Sequence, residues 1–247
     1  MEPMKINLND ATFTIPIRID SEERLENLNF IVNYLNKYFT TNIMVQEHDA
    51  EQKVHGMDAE YSFVQDGSIL FYRTKILNDM CRRVKTPIIV NYDCDVVFPP
   101  DRYLDCAETL RTNQADGVYP YDGRFLDVDR KYMPEFMNGN FNNIEGHILN
   151  PNSAGGCVFW DRAAYIEGGM ENERFISWGP EDVERYERFI KLGYRIARLP
   201  GFLFHFHHRR IPINDNKNPL KAHNDAEFKK VTGMSKEELQ EYVRGWY

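Results

Sequence analysis

A chain of 247 residues with 42% hydrophobic and 28% charged side chains can bury one substantial core, and this composition excludes a disordered or fibrous protein. Its apolar runs, such as Pro87-Ile88-Ile89-Val90, are far shorter than the roughly 20 residues of a membrane helix. The net charge of −8, from 30 basic and 38 acidic residues, argues against nucleic acid as the main partner. Residues 185–230 reverse that sign, with eleven Lys/Arg against four Asp/Glu, either as a solvated face or as a wall facing a phosphate-bearing ligand. The start of the chain, Met1 to Asn7, lacks the apolar stretch of a signal peptide, and a cytoplasmic protein is expected. Cys81, Cys94, Cys106 and Cys157 form no C-x-x-C pair and read as free thiols in a reducing compartment.

In chain order, Thr12 to Ile17 reads as a strand. Asp20 or Ser21 caps a following helix, in which Leu25, Leu28, Val32, Leu35 and Phe39 recur at helical spacing. Asn42 to Gln46 reads as the next strand, and residues 73–84 as a helix with Ile76, Leu77, Met80 and Val84 on one face. Thr86 to Tyr92 has the continuous apolar character of a buried parallel strand, and Pro99-Pro100-Asp101 opens another helix. Residues 122–152, rich in Asn, Gly, Asp and Pro, read as a long loop region. A strand at Cys157 to Trp160, a helix, a Gly-rich turn, a helix from Pro180 and a strand near 194–199 follow. A helical tail from Asp225 carries a capping box at Ser235 and Glu238. This alternation predicts an α/β domain with a mostly parallel central sheet flanked by helices.

Three segments carry chemistry. Asp93-Cys94-Asp95 places two carboxylates just past an apolar strand, at the carboxyl end of the sheet, where such a pair suits a hard divalent cation and a diphosphate. The second D-x-D, Asp127-Val128-Asp129, lies in the irregular region and reads as turn chemistry. Trp178-Gly179-Pro180-Glu181-Asp182 opens a helix with acids in its first turn, which serves capping and also keeps a carboxylate ionised for general-base work. Phe204 to Arg210 holds His205, His207 and His208, and His205 and His207 would share a strand face. Arg18 and Arg73 follow strand-like or turn segments and suit bidentate phosphate binding.

In this order the segments resemble nucleotide-sugar-dependent glycosyltransferases of the GT-A fold, and most closely the β-1,4-galactosyltransferase family and its bacterial relatives. The resemblance runs from Phe13 to Pro219. Ile15-Pro16-Ile17-Arg18 is similar to the family's Pro-Phe-Arg strand. Phe71-Tyr72-Arg73-Thr74-Lys75-Ile76-Leu77-Asn78 is similar to its Phe-Asn-Arg-Ala-Lys-Leu-Leu-Asn. Ser153-Ala154-Gly155-Gly156-Cys157-Val158 resembles its Gly-Gly strand, and Trp178 to Asp182 its Trp-Gly-Gly-Glu-Asp.

The resemblance implies a Rossmann-like GT-A catalytic domain over 1–224, with a nucleotide-binding half at 12–121 and an acceptor half at 153–220, followed by a tail at 225–247. It implies transfer, with inversion, of galactose or N-acetylgalactosamine from a UDP-sugar, dependent on Mn²⁺ or Mg²⁺. The donor would meet Pro16, Arg18, Asp20, Phe71, Arg73, Asp93 and Asp95. The acceptor would meet Gly155, Gly156, Trp178, Glu181 and Asp182. Asp182 would be the catalytic base, with Glu181 beside it. The metal would be held by Asp95 and a histidine, His207 being favoured, with His205 and Asp93 as further candidates. The acceptor would be a glycan or a lipid-linked oligosaccharide, and a cytoplasmic enzyme could reach the latter by peripheral contact with the inner face of the membrane. Two departures stand out: Gly-Pro replaces Gly-Gly before Glu181, and the family's Met ligand has no counterpart. A non-catalytic sugar-binding module, a nucleotidyltransferase and a metal-dependent hydrolase are the competing readings; residues 1–20 lack the Gly-rich loop a nucleotidyltransferase needs for a triphosphate.

Overall fold

A computed structural model describes residues 4–209 and 217–246. A seven-stranded sheet forms the centre, in the order β10-β6-β9-β4-β1-β2-β3. Its middle is β1 (Ile6–Ile17), parallel to both β2 (Phe39–Asp49) and β4 (Ile88–Tyr92). β4 is buried at every position, which is why its sequence shows no alternation. Each of Ile88, Ile89 and Val90 contributes about 1.5–3 kcal/mol by leaving water. Outside β2 lies β3 (Glu60–Gln65), also parallel, which the sequence did not reveal because its face is only half-buried.

On the other flank, β9 (Cys157–Asp161) runs antiparallel to β4 and to β6 (Gly117–Tyr119), and β10 (Ile196–Arg198) is parallel to β6. The sheet is therefore mostly parallel, with one reversed strand. That reversal matters for the site. Cys157, at the start of β9, pairs with Tyr92, at the end of β4, so Gly155-Gly156 and Asp93-Asp95 lie at the same sheet edge. The Asp93 N–H donates to the Gly156 carbonyl at 2.8 Å.

Ser21 caps α1 (Glu22–Tyr38), its Oγ accepting from the Arg24 N–H at 3.2 Å, and the helix packs on β2. α2 (Arg73–Arg83) and α3 (Pro100–Arg111) pack on β1, and α5 (Arg162–Glu167) packs on β9. α6 (Glu181–Leu192) carries the acidic first turn, and its Phe189 ring lies against Trp160 of β9, centroids 4.4 Å apart.

The stretch 122–152 is more ordered than its composition implies. It contains β7 (Phe125–Val128), a short 3₁₀ turn, α4 (Met133–Met137) and β8 (Gly146–Asn150). With β5 (Val96–Val97) and β11 (Leu203–Phe206) these strands form a second sheet, β5-β11-β7-β8. The strands are two to five residues long and β8 is exposed throughout, so neither period nor burial marked them in the sequence.

The last helices are α7 (Lys221–Gly233) and α8 (Lys236–Arg244), the second with the capping box expected at Ser235 and Glu238. α7 begins four residues before the predicted tail, and both helices pack on α6. No helix among the described residues is long and apolar enough to cross a membrane.

Candidate active site

A cleft of about 710 Å³ opens at the carboxyl edge of the central sheet. Pro16, Arg18, Asp20, Phe71, Arg73, Asp93, Asp95, Gly155, Gly156, Trp178, Glu181, Asp182 and His205 all line it. Of the residues expected at the site, only His207 does not.

One end of the cleft is a cluster of Asp95, His205 and His208, all buried, whose ligating atoms lie within 4.8 Å of one another. The second sheet builds it: β5 pairs antiparallel with β11, which sets His205 against Val96 beside Asp95, and the Phe206 N–H donates to the Asp95 carbonyl at 2.8 Å. Asp95 Oδ2 is 2.9 Å from His208 Nε2 and 3.9 Å from His205 Nε2.

The protons on these rings are fixed from behind. His205 Nδ1 lies 2.6 Å from Asp127 Oδ1, and His208 Nδ1 lies 2.8 Å from the Arg209 carbonyl. The Nδ1–H of His205 donates to Asp127 and leaves its Nε2 facing the cluster, while His208 Nε2 stands at hydrogen-bond distance from Asp95 Oδ2, the position a bound cation would take over. The His205 Nε2 atom is buried and has no hydrogen-bond partner. An unpartnered imidazole nitrogen, a second imidazole nitrogen and a carboxylate oxygen converging on one point fit a divalent cation, and one oxygen with two imidazole nitrogens suits Mn²⁺. Burial pushes the Asp95 carboxyl up, but the His208 hydrogen bond and the charges of His205, His208 and Arg24 outweigh it and hold the group well below the usual carboxylate range.

The cluster corrects the sequence reading at three positions. His207 is 72% exposed, and its Nδ1 meets Asp127 Oδ2 at 3.0 Å rather than Asp95; past the end of β11 the chain turns and brings His208 inward instead. Asp93 is not in the cluster: it diverges from Asp95 and meets Arg73 at 2.8 Å. Asp127, assigned to turn chemistry with Asp129, is 4% exposed and orients His205, whereas Asp129 does cap a turn, accepting from the Lys131 N–H.

At the other end of the cleft a chain of alternating charges runs through Asp93, Arg73, Asp182, Arg185 and Glu171. Arg73 Nη1 is 3.3 Å from Asp182 Oδ1, Arg185 Nη2 is 2.9 Å from the same oxygen, and Arg185 Nη1 is 2.8 Å from Glu171. Burial raises Asp182, but Arg73 and Arg185 outweigh it and hold the carboxyl below its ordinary value. Burial and the charge of Asp182 push the neighbouring Glu181 up to about 8, and its Oε2 is buried without a partner. Asp93 is raised by burial against the pull of Arg73. A Cβ on residue 155 would stand 2.6 Å from Asp182 Oδ2, so Gly155 is what leaves room for that carboxylate.

Trp178 is held from two sides. The Ser177 N–H donates to the Phe71 carbonyl, and the Phe71 N–H donates back to Ser177 Oγ, both at 3.0 Å. From the C-terminal side, Asn218 Nδ2 donates to the Trp178 carbonyl at 2.6 Å and to that of Ile176 at 3.1 Å. Asn224 Nδ2 donates to the same two carbonyls, and its Oδ1 accepts from the Ile176 N–H at 3.2 Å. This clamp maintains Ser177 at φ +54°, a left-handed conformation that a serine adopts at a cost. No sequence signal marked Asn218 or Asn224.

The described arginines of the basic stretch 185–230 are mostly engaged within the fold, while Lys221 lines the cleft and pairs with Asp225. Arg185 and Arg188 are buried against Glu171 and Glu184, Arg195 pairs with Asp116, and Arg198 lies over the rings of Tyr119 and Tyr186. Arg210 lies outside the described residues. All four cysteines are buried and free, as expected.

The sequence profile described as the N-terminal domain of galactosyltransferase matches residues 137–209, a span that includes the Trp178 segment, α6 and the two cluster histidines. No curated protein matches the chain in sequence. Among solved structures, the catalytic domain of Drosophila β1,4-galactosyltransferase 7 in complex with xylobiose aligns at a TM-score of 0.56 and 16% identity, over 89% of this chain and 79% of that one. A mutant of the same enzyme, in complex with manganese, UDP-Gal and xylobiose, aligns at 0.56 and 15%, over the same shares. A mannosyltransferase from Pyrobaculum calidifontis, in complex with GDP-Man and Mn²⁺, aligns at 0.50 and 14%, over 96% of this chain and 73% of that one. The fold is thus that of the GT-A glycosyltransferases, with a galactosyltransferase domain signature over the second half of the site.

Proposed function

We propose that this chain is a metal-dependent glycosyltransferase that moves a sugar, galactose or N-acetylgalactosamine, from a UDP-sugar to a hydroxyl of a glycan acceptor with inversion. The observation that carries the reading is the single cleft with the Asp95–His205–His208 cluster at one end and the Glu181–Asp182 pair at the other. Bound at that cluster, Mn²⁺ or Mg²⁺ supplies Lewis-acid neutralisation for a departing diphosphate. The complexes of structurally similar enzymes with manganese and a nucleotide sugar support the assignment.

The chain's own groups do the rest. Phe71 presents an aromatic wall for the nucleoside, and Arg18 lies over its ring, 5.5 Å from the centroid. Trp178, held by its clamp, offers an apolar face for a sugar ring. Asp182 stays ionised through the neutral range and accepts the proton as the acceptor oxygen attacks the anomeric carbon and the bond from that carbon to the diphosphate oxygen breaks. Glu181 is protonated near neutral pH, so its carboxyl donates a hydrogen bond to a sugar oxygen. The four free thiols suit a reducing, cytoplasmic compartment. A lipid-linked oligosaccharide is a narrower choice of acceptor, which Ile148 and Leu149, half-exposed on the strand that borders the cleft, would serve as an apolar lip.

Calorimetric titration of UDP with Mn²⁺ and again with EDTA tests the donor site. Metal-dependent binding that is lost in Asp95→Ala is the expected result, and absence of UDP binding in both conditions overturns it. A donor panel that includes UDP-Gal, UDP-GalNAc, UDP-Glc and GDP-Man then fixes the sugar and base. Release of free sugar at one rate with and without acceptor would favour a hydrolase.

A further inference from the structure

Two arginines were expected to hold the donor, and the structure shows the charges of both already answered. Arg18 donates through Nε to the His48 carbonyl at 2.9 Å, through Nη1 to the Leu70 carbonyl at 3.1 Å, and pairs with Asp66 at 3.4 Å. Its donors tie the end of β1 to the end of β2 and to the loop after β3. Arg73 sits between Asp93 and Asp182. A third arginine lines the cleft beside the Asp95 cluster, projecting from the first turns of α1.

We propose that Arg24 is the guanidinium that meets the diphosphate of the donor, an assignment that rests on the nucleotide-sugar reading above. Arg24 is anchored at its inner nitrogen, where Nε donates to Asp20 Oδ1 at 2.9 Å. That bond fixes the plane of the fork and sends both Nη groups toward the cluster. There they meet only distant partners. Nη1 is 3.6 Å from Asp95 Oδ2 and 4.0 Å from the Cys94 sulfur. Nη2 is 3.4 and 3.5 Å from the two ring nitrogens of His208; equidistance puts it off the lone-pair direction of either. Asp20 and Asp95 answer the charge of Arg24 too, but its two Nη groups make only contacts of 3.4 Å or longer, so a fork 17% exposed beside a cation cradle can turn to a diphosphate without giving up a short hydrogen bond.

The charge count points the same way. Asp95 and Asp20 contribute two negative charges, a divalent ion two positive ones and Arg24 one more. Arg24 is thus the positive side chain on the side of the cluster that an anionic diphosphate would approach. Because charge builds on the diphosphate as the sugar departs, the contact strengthens along the reaction.

The test compares wild type with Arg24→Met in two titrations: UDP at saturating Mn²⁺, and Mn²⁺ alone followed by the paramagnetic resonance of the free ion. The expected result is UDP affinity lowered about 10- to 100-fold with Mn²⁺ affinity unchanged or tighter, since a neighbouring positive charge has been removed. Arg24→Lys keeps the charge and loses the fork, so a loss of only several-fold is expected, and it carries the test if the Met variant does not fold. Unchanged UDP affinity overturns the proposal while leaving the donor site standing. A fall in Mn²⁺ affinity equal to that for UDP also overturns it, because Arg24 would then only position Asp95. Wild-type protein that binds no UDP removes the donor site and this contact together.

Discussion

Glu181 and Asp182 are consecutive residues in the first turn of α6, yet their environments drive their proton affinities apart. Two arginines hold Asp182 down, while burial and the charge of Asp182 push Glu181 up to about 8. In the proposed reaction Asp182 would serve as the base and Glu181 as a neutral donor. The split sets a pH signature: kcat/KM should be level through the neutral range and fall as Glu181 ionises above about pH 8. In Glu181→Gln, whose amide still donates, that fall should be absent. A rate that instead climbs through pH 8 would make Glu181 the base.

The same pair predicts how stability varies with pH. A carboxyl whose folded value lies above its unfolded value of 4.5 binds more protons in the native state between the two values, so its contribution is lost as pH rises from about 4.5 to 8. Denaturant unfolding of the wild type across that window should show a decline on the order of a few kcal/mol that Glu181→Gln flattens. Asp182 works in the opposite sense and only at acid pH, where its contribution is lost as protonation begins.

Asp182→Asn should lower kcat by about 10²–10⁴-fold, the range for a general base, with UDP affinity in Mn²⁺ nearly unchanged. Calorimetry beside a radiolabelled transfer assay separates the two. Turnover close to wild type would remove Asp182 from the role.

The histidines can be ranked by metal titration. His208→Ala should abolish measurable Mn²⁺ binding, whereas His207→Ala, at a ring 72% exposed, should leave it intact. Asp127→Ala should weaken binding about 10- to 100-fold, because His205 then loses the partner that holds its proton on Nδ1.

Asn224→Ala should unclamp Trp178. It leaves two carbonyls and one N–H each short of a partner, at a cost of about 1–3 kcal/mol. Acceptor KM should rise and kcat fall while Mn²⁺ affinity stays at the wild-type value. Unaltered kinetics would show that Asn218 alone holds the segment.

The sequence carried much of this and lost the rest for identifiable reasons. β4, α1 and α6 were legible because burial and capping write themselves into residue order. The direction of β9 was not, since an apolar run reads alike either way. Asp127 was misjudged because its strand is four residues long and its value lies in a partner 78 residues away. Arg24 left a trace, the Asp20–Arg24 spacing of one helical turn, but that spacing also describes an ordinary surface pair. Asn218 and Asn224 left none, because a clamp on backbone carbonyls places no demand on neighbouring residue types.

The Asp95–His205–His208 cluster also imposes an order of events on synthesis. The first of the cluster histidines, His205, follows Asp95 by 110 positions. At about 5–20 residues per second, the ribosome needs roughly 5 to 20 s to reach it after Asp95. Until then Asp95 has neither imidazole, and a lone carboxylate captures no transition metal tightly. On the proposed metal role, a copy that ends before His205 would lack the cluster and would not hold the ion.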